Sequence, residues 1–105
     1  AAAKGGVISL VKSVAQEVGR NGVTLNVVSP GATDTELRKG REKEVLEAIG
    51  EERFAKREQT ILRMYPTRRL GQPDDIAAGI VYLCGDGASW VTGQVLSING
   101  GFAMV

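Results

Sequence analysis

The 105-residue sequence predicts an α/β fold, part of a doubly wound domain built on a parallel sheet. Three observations carry that reading. Segments of helical period alternate with short segments of strand period, in the order helix, strand, helical insertion, helix, strand. Strand–helix–strand alternation implies a parallel crossover. Two strands alone leave both edges and much of each face uncovered, so a parallel pair belongs to a wider sheet.

The first helix is read from Val7, Leu10, Val11, Val14 and Val18, which recur at three- and four-residue intervals. Ile8 and Ala15 widen the apolar face, which predicts burial on more than one side. "GRNG" at 19–22 ends it with glycines that accept positive φ. "VTLNVVSPG" follows as a strand, with Val23, Leu25 and Val27 alternating against Thr24, Asn26 and Val28. Pro30-Gly31 stops it, because proline cannot continue the ladder.

"ATDTEL" leads into a helix, with Thr33, Asp34 or Thr35 available as cap and Glu36 in the first turn. From Glu36 to Met64 the chain is heavily charged, with Leu37, Val45, Leu46, Ile49, Phe54, Ile61 and Leu62 spaced as an amphipathic face. Gly40 and Gly50 are expected to break this stretch. In "RRLGQPDDIAAGIVYLCGDG", Pro73 suits the first helical position, and Asp74 and Asp75 complement the positive end of the dipole. Ile76, Ile80, Val81, Leu83 and Cys84 are expected on its buried side, and Gly85 or Gly87 at its end. "ASWVTG" reads as a turn, and "QVLSI" as a second strand closed by Asn99-Gly100-Gly101. Trp90 is expected in a core or an interface, and Cys84 as an inert buried thiol.

Composition narrows the function. A net charge of +1 gives no reason to expect nucleic acid or an anionic membrane as partner. No apolar run spans a bilayer, and no segment has the layout of a signal peptide. Cysteine usage leaves a reducing cytoplasm as the default expectation. With one cysteine and no histidine, an intrachain disulfide, a cysteine-based zinc site and histidine-dependent triads are all ruled out, and no metal is expected. The chain begins apolar and periodic where natural starts are usually frayed and polar, so it is expected to begin inside a larger domain. Lys4, in the first turn of its helix, opposes the helix dipole and by itself reads as a solvent-facing cation.

Four segments, "AAAKGG", "NVVSPGATDT", "RRLGQPDDIA" and "ASWVTGQVLSINGG", stand in order at spacings that resemble the C-terminal portion of the short-chain dehydrogenase/reductase family. The resemblance covers essentially the whole chain. It implies that residues 1–105 are the C-terminal part of a single NAD(P)-binding Rossmann-like domain. In this family a catalytic tyrosine precedes a lysine by four residues, which would put the tyrosine immediately before Ala1 and make Lys4 its partner. That spacing stacks both side chains on one helix face. Bringing a tyrosine from its ordinary pKa of ~10 to near ~7 takes roughly 4 kcal/mol. A lysine at about 4 Å supplies only ~1 kcal/mol in water but ~4 kcal/mol at an effective dielectric of ~20. The pair therefore needs a desolvated cleft, and an oxidised nicotinamide adds to the positive field.

By the same resemblance Lys4 also holds the nicotinamide ribose hydroxyls. Pro30, Gly31, Thr33 and Thr35 lie just past a strand's C-terminal end, where open α/β sheets bind ligands. The resemblance implies that Pro30-Gly31 lets the backbone approach the nicotinamide. It implies further that the Thr33 backbone meets the carboxamide and the Thr35 hydroxyl a phosphate oxygen. A ligand-free turn and helix cap is the alternative for Thr33 and Thr35.

Residues 36–65 match the family's helical substrate-covering insertion, and long insertions of this kind often act as lids. Its arginines suit either a phosphorylated carrier, coenzyme A or acyl carrier protein, or a solvated charged cover. The implied function is hydride transfer between NAD or NADP and a small-molecule secondary alcohol or ketone, a hydroxyacyl or 3-oxoacyl thioester among the candidates. The resemblance also implies a homo-oligomer, tetramer or dimer. No glycine-rich phosphate turn, catalytic serine or residue selecting NAD over NADP occurs in this sequence. Asn99 replaces the aspartate often found before the paired glycines. A non-catalytic binding or assembly module is the alternative function.

Overall fold

A computed structural model describes residues 2–103 of the chain. Helix α1 (Ala2–Val18) runs into a 3-10 turn at Gly19–Asn21, and Gly22 adopts a left-handed φ of 75°. Strand β1 is Val27–Pro30, α2 is Glu36–Ile49, α3 is Glu51–Arg63 and α4 is Pro73–Cys84. A second 3-10 turn (Asp86–Ala88) leads to strand β2 (Val95–Ile98). The two strands pair in parallel, Val27 opposite Val95 through Pro30 opposite Ile98. Element order and parallel pairing agree with the expectation.

One face of the sheet is covered by α4. Gly79 makes this possible: a Cβ there would collide with the Ile98 side chain and lie 3.5 Å from Leu96 Cδ2. The helix backbone therefore seats directly on β2. Ile76 and Leu83, at helical spacing from Gly79, are half-buried on that side, whereas Ile80, Val81 and Cys84 are exposed. This corrects the expected buried face: close approach at Gly79 turns the flanking apolar residues away from a sheet only two strands wide. Cys84 is accordingly an exposed thiol, not a buried one.

Other expectations are corrected too. Strand β1 begins at Val27 and not at Val23, because the residues before it bond irregularly to the turn at 91–94. Gly40 does not interrupt α2, since one interior glycine costs only ~1 kcal/mol and nothing there caps a helix end. Gly50 does divide α2 from α3, at φ 86°. The face of α1 is not enclosed: Ala15 is buried against Gly93, but Val7 and Leu10 are 54% and 63% exposed. No described element packs along that face. Trp90 is 99% exposed and so is not in a core.

Among the described residues, the buried apolar ones are Ala15, Tyr65 and Ala88. The chain presents 7723 Å² to solvent, whereas a compact monomer of this length presents about 5,700 Å². Its radius of gyration is 17.4 Å, against about 13 Å for a compact domain of this length. Among the described residues, no helix is long and apolar enough to cross a membrane.

Candidate functional site

The sheet's C-terminal edge carries the loop picked out by the sequence. Pro30 closes β1, and the Gly31 N–H continues the ladder by donating to the Ile98 carbonyl at 2.9 Å. Gly31 is required by packing: a Cβ there would stand 2.8 Å from both Cα and Cβ of Asn99. The loop then turns. The Thr33 hydroxyl donates to the Gly31 carbonyl at 3.1 Å, and Thr33 forms a parallel bridge with Gly71. In that bridge the Asp34 N–H donates to the Gly71 carbonyl at 2.7 Å, and the Gly71 N–H to the Ala32 carbonyl at 3.0 Å.

Thr35 is the N-cap of α2. Its hydroxyl oxygen accepts the Arg38 N–H at 3.2 Å, and Glu36 follows in the first turn. Capping uses a lone pair and leaves the exposed hydroxyl's own proton free to donate. Thr35 is thus a real cap, and the cap does not exhaust its bonding capacity.

The structure brings Pro30, Gly31, Thr33 and Thr35 onto one edge. Lys4 lies on α1, exposed, with no acidic residue in its first turn to offset the dipole. Among the described residues, no hydrogen bond or ion pair joins Lys4 to the loop. A cleft beside the loop, lined by Ala32, Gly71, Asn99 and Gly100 among others, has a volume of about 140 Å³. That is below the ~300 Å³ at which small-molecule pockets begin. The loop therefore offers an open edge. A wider groove of about 290 Å³ runs between α2 and α3, where Arg38, Lys39 and Lys43 meet Leu46, Phe54 and Leu70. Arg38 pairs with Glu42, which also binds Arg57.

The "RRLGQPDD" motif has a structural part that sequence reading missed. Besides the Gly71 bridge, Arg69 holds Asp75 with both guanidinium nitrogens, at 2.7 and 3.1 Å. The same carboxylate accepts the Gln72 N–H at 2.7 Å at the start of α4. Hydrogen bonds from Arg69 first, then from the Gln72 backbone, lower the Asp75 pKa to about 2. The pair correspondingly raises that of Arg69. Asp75 is thus a dipole partner, as expected, and also a cap partner, which was not.

Asn26 was also missed. It braces the opposite, N-terminal edge: its amide donates to the Val91 carbonyl and accepts the Gln94 N–H, each at 3.0 Å. The only local sign was an asparagine inside a strand, which is unfavourable unless its side chain bonds elsewhere.

The family model described as Enoyl-(Acyl carrier protein) reductase matches residues 1–103. The chain is 40% identical over 105 residues to the 3-oxoacyl-[acyl-carrier-protein] reductase FabG of Vibrio harveyi, covering 100% of this chain and 38% of that protein. It is 34% identical over 104 residues to Nodulation protein G of Rhizobium sp. (strain N33), covering 99% of this chain and 38% of the relative. Among solved structures, a short chain dehydrogenase family protein from Francisella tularensis subsp. tularensis SCHU S4 superposes with a TM-score of 0.80 at 26% identity, over 94% of this chain and 40% of the other. YwfH, an NADPH dependent reductase involved in bacilysin biosynthesis, superposes with a TM-score of 0.80 at 25% identity, over 96% of this chain and 38% of that one. The chain spans about two fifths of the length of the proteins it matches.

Proposed function

The chain belongs to the short-chain dehydrogenase/reductase family, and on that premise we propose that it serves an NAD(P)-dependent oxidoreductase acting on a secondary alcohol or ketone. The similarity to 3-oxoacyl-[acyl-carrier-protein] reductases supports a 3-oxoacyl or hydroxyacyl thioester as the substrate class. In this reading residues 1–105 form the C-terminal part of one Rossmann-like domain. The surface in excess of a compact chain supports that reading, because it is surface that further sheet and helices would cover.

The observation that carries the proposal is the loop at the C-terminal edge of the parallel pair, leading into a helix whose cap keeps a free hydroxyl donor. Such an edge suits the nicotinamide end of a dinucleotide. Pro30 and Gly31 would lie along the nicotinamide, the Thr33 backbone at its carboxamide and the Thr35 hydroxyl at a phosphate oxygen. A bound NAD or NADP supplies or accepts the hydride. Lys4 would hold the ribose hydroxyls and lower the pKa of a tyrosine one helical turn ahead of it, the proton donor and acceptor this reading requires. Residues 36–65 would cover the substrate.

A homo-oligomer, dimer or tetramer, is supported by apolar side chains at the surface of two helices: Val7 and Leu10 on α1, Val81 and Tyr82 on α4. The same side chains favour a second reading, a non-catalytic binding or assembly module. Turnover separates the two. The natural polypeptide is isolated and the residue preceding Ala1 is read. It is then assayed for oxidation of NADH and NADPH with 3-oxoacyl thioesters. Turnover from a chain with tyrosine at that position supports the oxidoreductase. Absence of turnover with either cofactor, or another residue at that position, overturns it.

A further inference from the structure

The α2–α3 hairpin is attached to the fold at its ends. The two helices pack on each other, while α4 is the helix that packs on the strands. The outgoing limb is tied by the Asp34–Gly71 bond. The returning limb, Tyr65 to Thr67, is tied by the C-terminal turn after β2, for which the family reading has no catalytic use.

That turn is built to meet the limb. Gly100 and Gly101 have φ of 60° and 86°. A Cβ on Gly100 would stand 2.5 Å from Thr67 Oγ1, and one on Gly101 2.8 Å from Pro66 Cγ. Backbone therefore lies directly on Tyr65-Pro66-Thr67. The Thr67 N–H and hydroxyl both reach the Gly100 carbonyl, at 3.3 Å. Asn99 fixes the turn from inside: its Oδ1 accepts the Gly101 N–H at 3.0 Å and its Nδ2 donates to the Ala103 carbonyl at 2.8 Å. At its end the Phe102 ring lies 5.1 Å from the Tyr65 ring, tilted by 31°. Tyr65 is 6% exposed, whereas the ring that covers it, Phe102, is 52% exposed.

We propose that Phe102 is a positioning residue: held by the Asn99–Gly101 turn and stacked on Tyr65, it latches the returning end of α3 and so sets the pose of the α2–α3 hairpin. The same Asn99 abuts Gly31. One residue thus joins the cofactor-side loop to the latch, and the hairpin is registered to that loop through a contact that touches neither substrate nor cofactor. The effect on catalysis rests on the oxidoreductase reading; the latch itself does not.

The test is hydrogen exchange on the full natural polypeptide, comparing wild type with Phe102→Ala and Phe102→Tyr. Loss of the ring should speed amide exchange in residues 36–67 about two- to tenfold, the size of an aromatic pair's contribution, with β1, β2 and α4 unchanged. Phe102→Tyr should restore wild-type exchange. In steady-state assays Phe102→Ala should raise the KM for the carbonyl substrate by a similar factor and leave the cofactor KM unchanged. Unchanged exchange in 36–67, or equal acceleration throughout the chain, overturns the latch. A wild-type protein without hydride transfer overturns the oxidoreductase reading, and the exchange comparison then decides the latch alone.

Discussion

Arg69 and Asp75 form a two-pronged ion pair at the start of α4, and the same carboxylate receives the Gln72 N–H. Because the Asp75 pKa is held at about 2 in the folded chain, against ~3.9 for an unperturbed aspartate, folding favours its ionised form. The contribution to stability is complete above about pH 4 and is lost as pH falls toward about 2. Carbon NMR titration of the side-chain carboxyl should give a midpoint near the low value. Asp75→Asn should flatten the stability–pH curve between those limits and leave it unchanged near neutrality in shape. A midpoint at the ordinary aspartate value would mean the pair does not form.

Gly31 cannot gain a side chain without moving Asn99. A Cβ at 2.8 Å from the Asn99 Cα meets backbone, which has nowhere to rotate. Gly31→Ala should cost ~1–3 kcal/mol in stability, the usual range for overpacking, and should weaken binding of reduced cofactor measured by nicotinamide fluorescence. Asn99→Gly in the same chain should rescue only part of this, because it removes the Asn99 Cβ and leaves the Cα in place. Complete rescue would show that the side chain alone sets the contact.

The cap made by Thr35 and the phosphate contact proposed for it separate by charge. Thr35→Ala loses the cap on Arg38 N–H and should cost ~1 kcal/mol. Thr35→Asp replaces it with an equally good cap but puts a carboxylate where a phosphate is proposed. It should keep the melting temperature and reduce cofactor affinity. Thr35→Ser should keep both. Unchanged affinity in Thr35→Asp would leave Thr35 as a cap alone.

Lys4 is tested through pH. If it lowers the pKa of a neighbouring tyrosine, Lys4→Met should reduce kcat/KM by about 10²–10⁴-fold at neutral pH. The acidic limb of the pH–rate profile should move toward the ordinary tyrosine value of ~10. A loss of rate with an unmoved limb would assign Lys4 to cofactor binding only.

Local chemistry was legible in the sequence. A cap just before Glu36 was legible as one of Thr33, Asp34 and Thr35, of which the structure uses Thr35, and Pro73 opens α4 where a missing N–H does no harm. Parallel pairing follows from the crossover. Contacts made by small residues across long separations were not legible. Nothing near Gly79 says that it seats α4 on Ile98, and nothing near Asn26 says that it braces a turn more than sixty residues on. The apolar faces misled for the same reason: the periodicity of Val7, Leu10, Ile80 and Val81 says that a face is apolar, and only the arrangement of neighbours says whether it is covered. The candidate loop was legible as a unit, but its fastening to Gly71 and Asn99 was not.

The 105 residues by themselves should not unfold cooperatively as a monomer. The buried apolar set of Ala15, Tyr65 and Ala88 contains one large side chain, and burying such a side chain yields only ~1.5–3 kcal/mol. Ordering each residue costs ~1–2 kcal/mol of backbone entropy, so the large solvent-exposed apolar area is stabilisation left unused. Val7, Leu10, Val81 and Trp90 are where it would be recovered, on contact with further sheet or with another copy. Thermal melts of the isolated chain should be broad, and sedimentation should show concentration-dependent association. Trp90, the single tryptophan, gives the readout: it should fluoresce like a solvated indole in dilute monomer and shift to the blue as the chain associates. A sharp, concentration-independent melt with Trp90 still solvated would show that this core suffices alone.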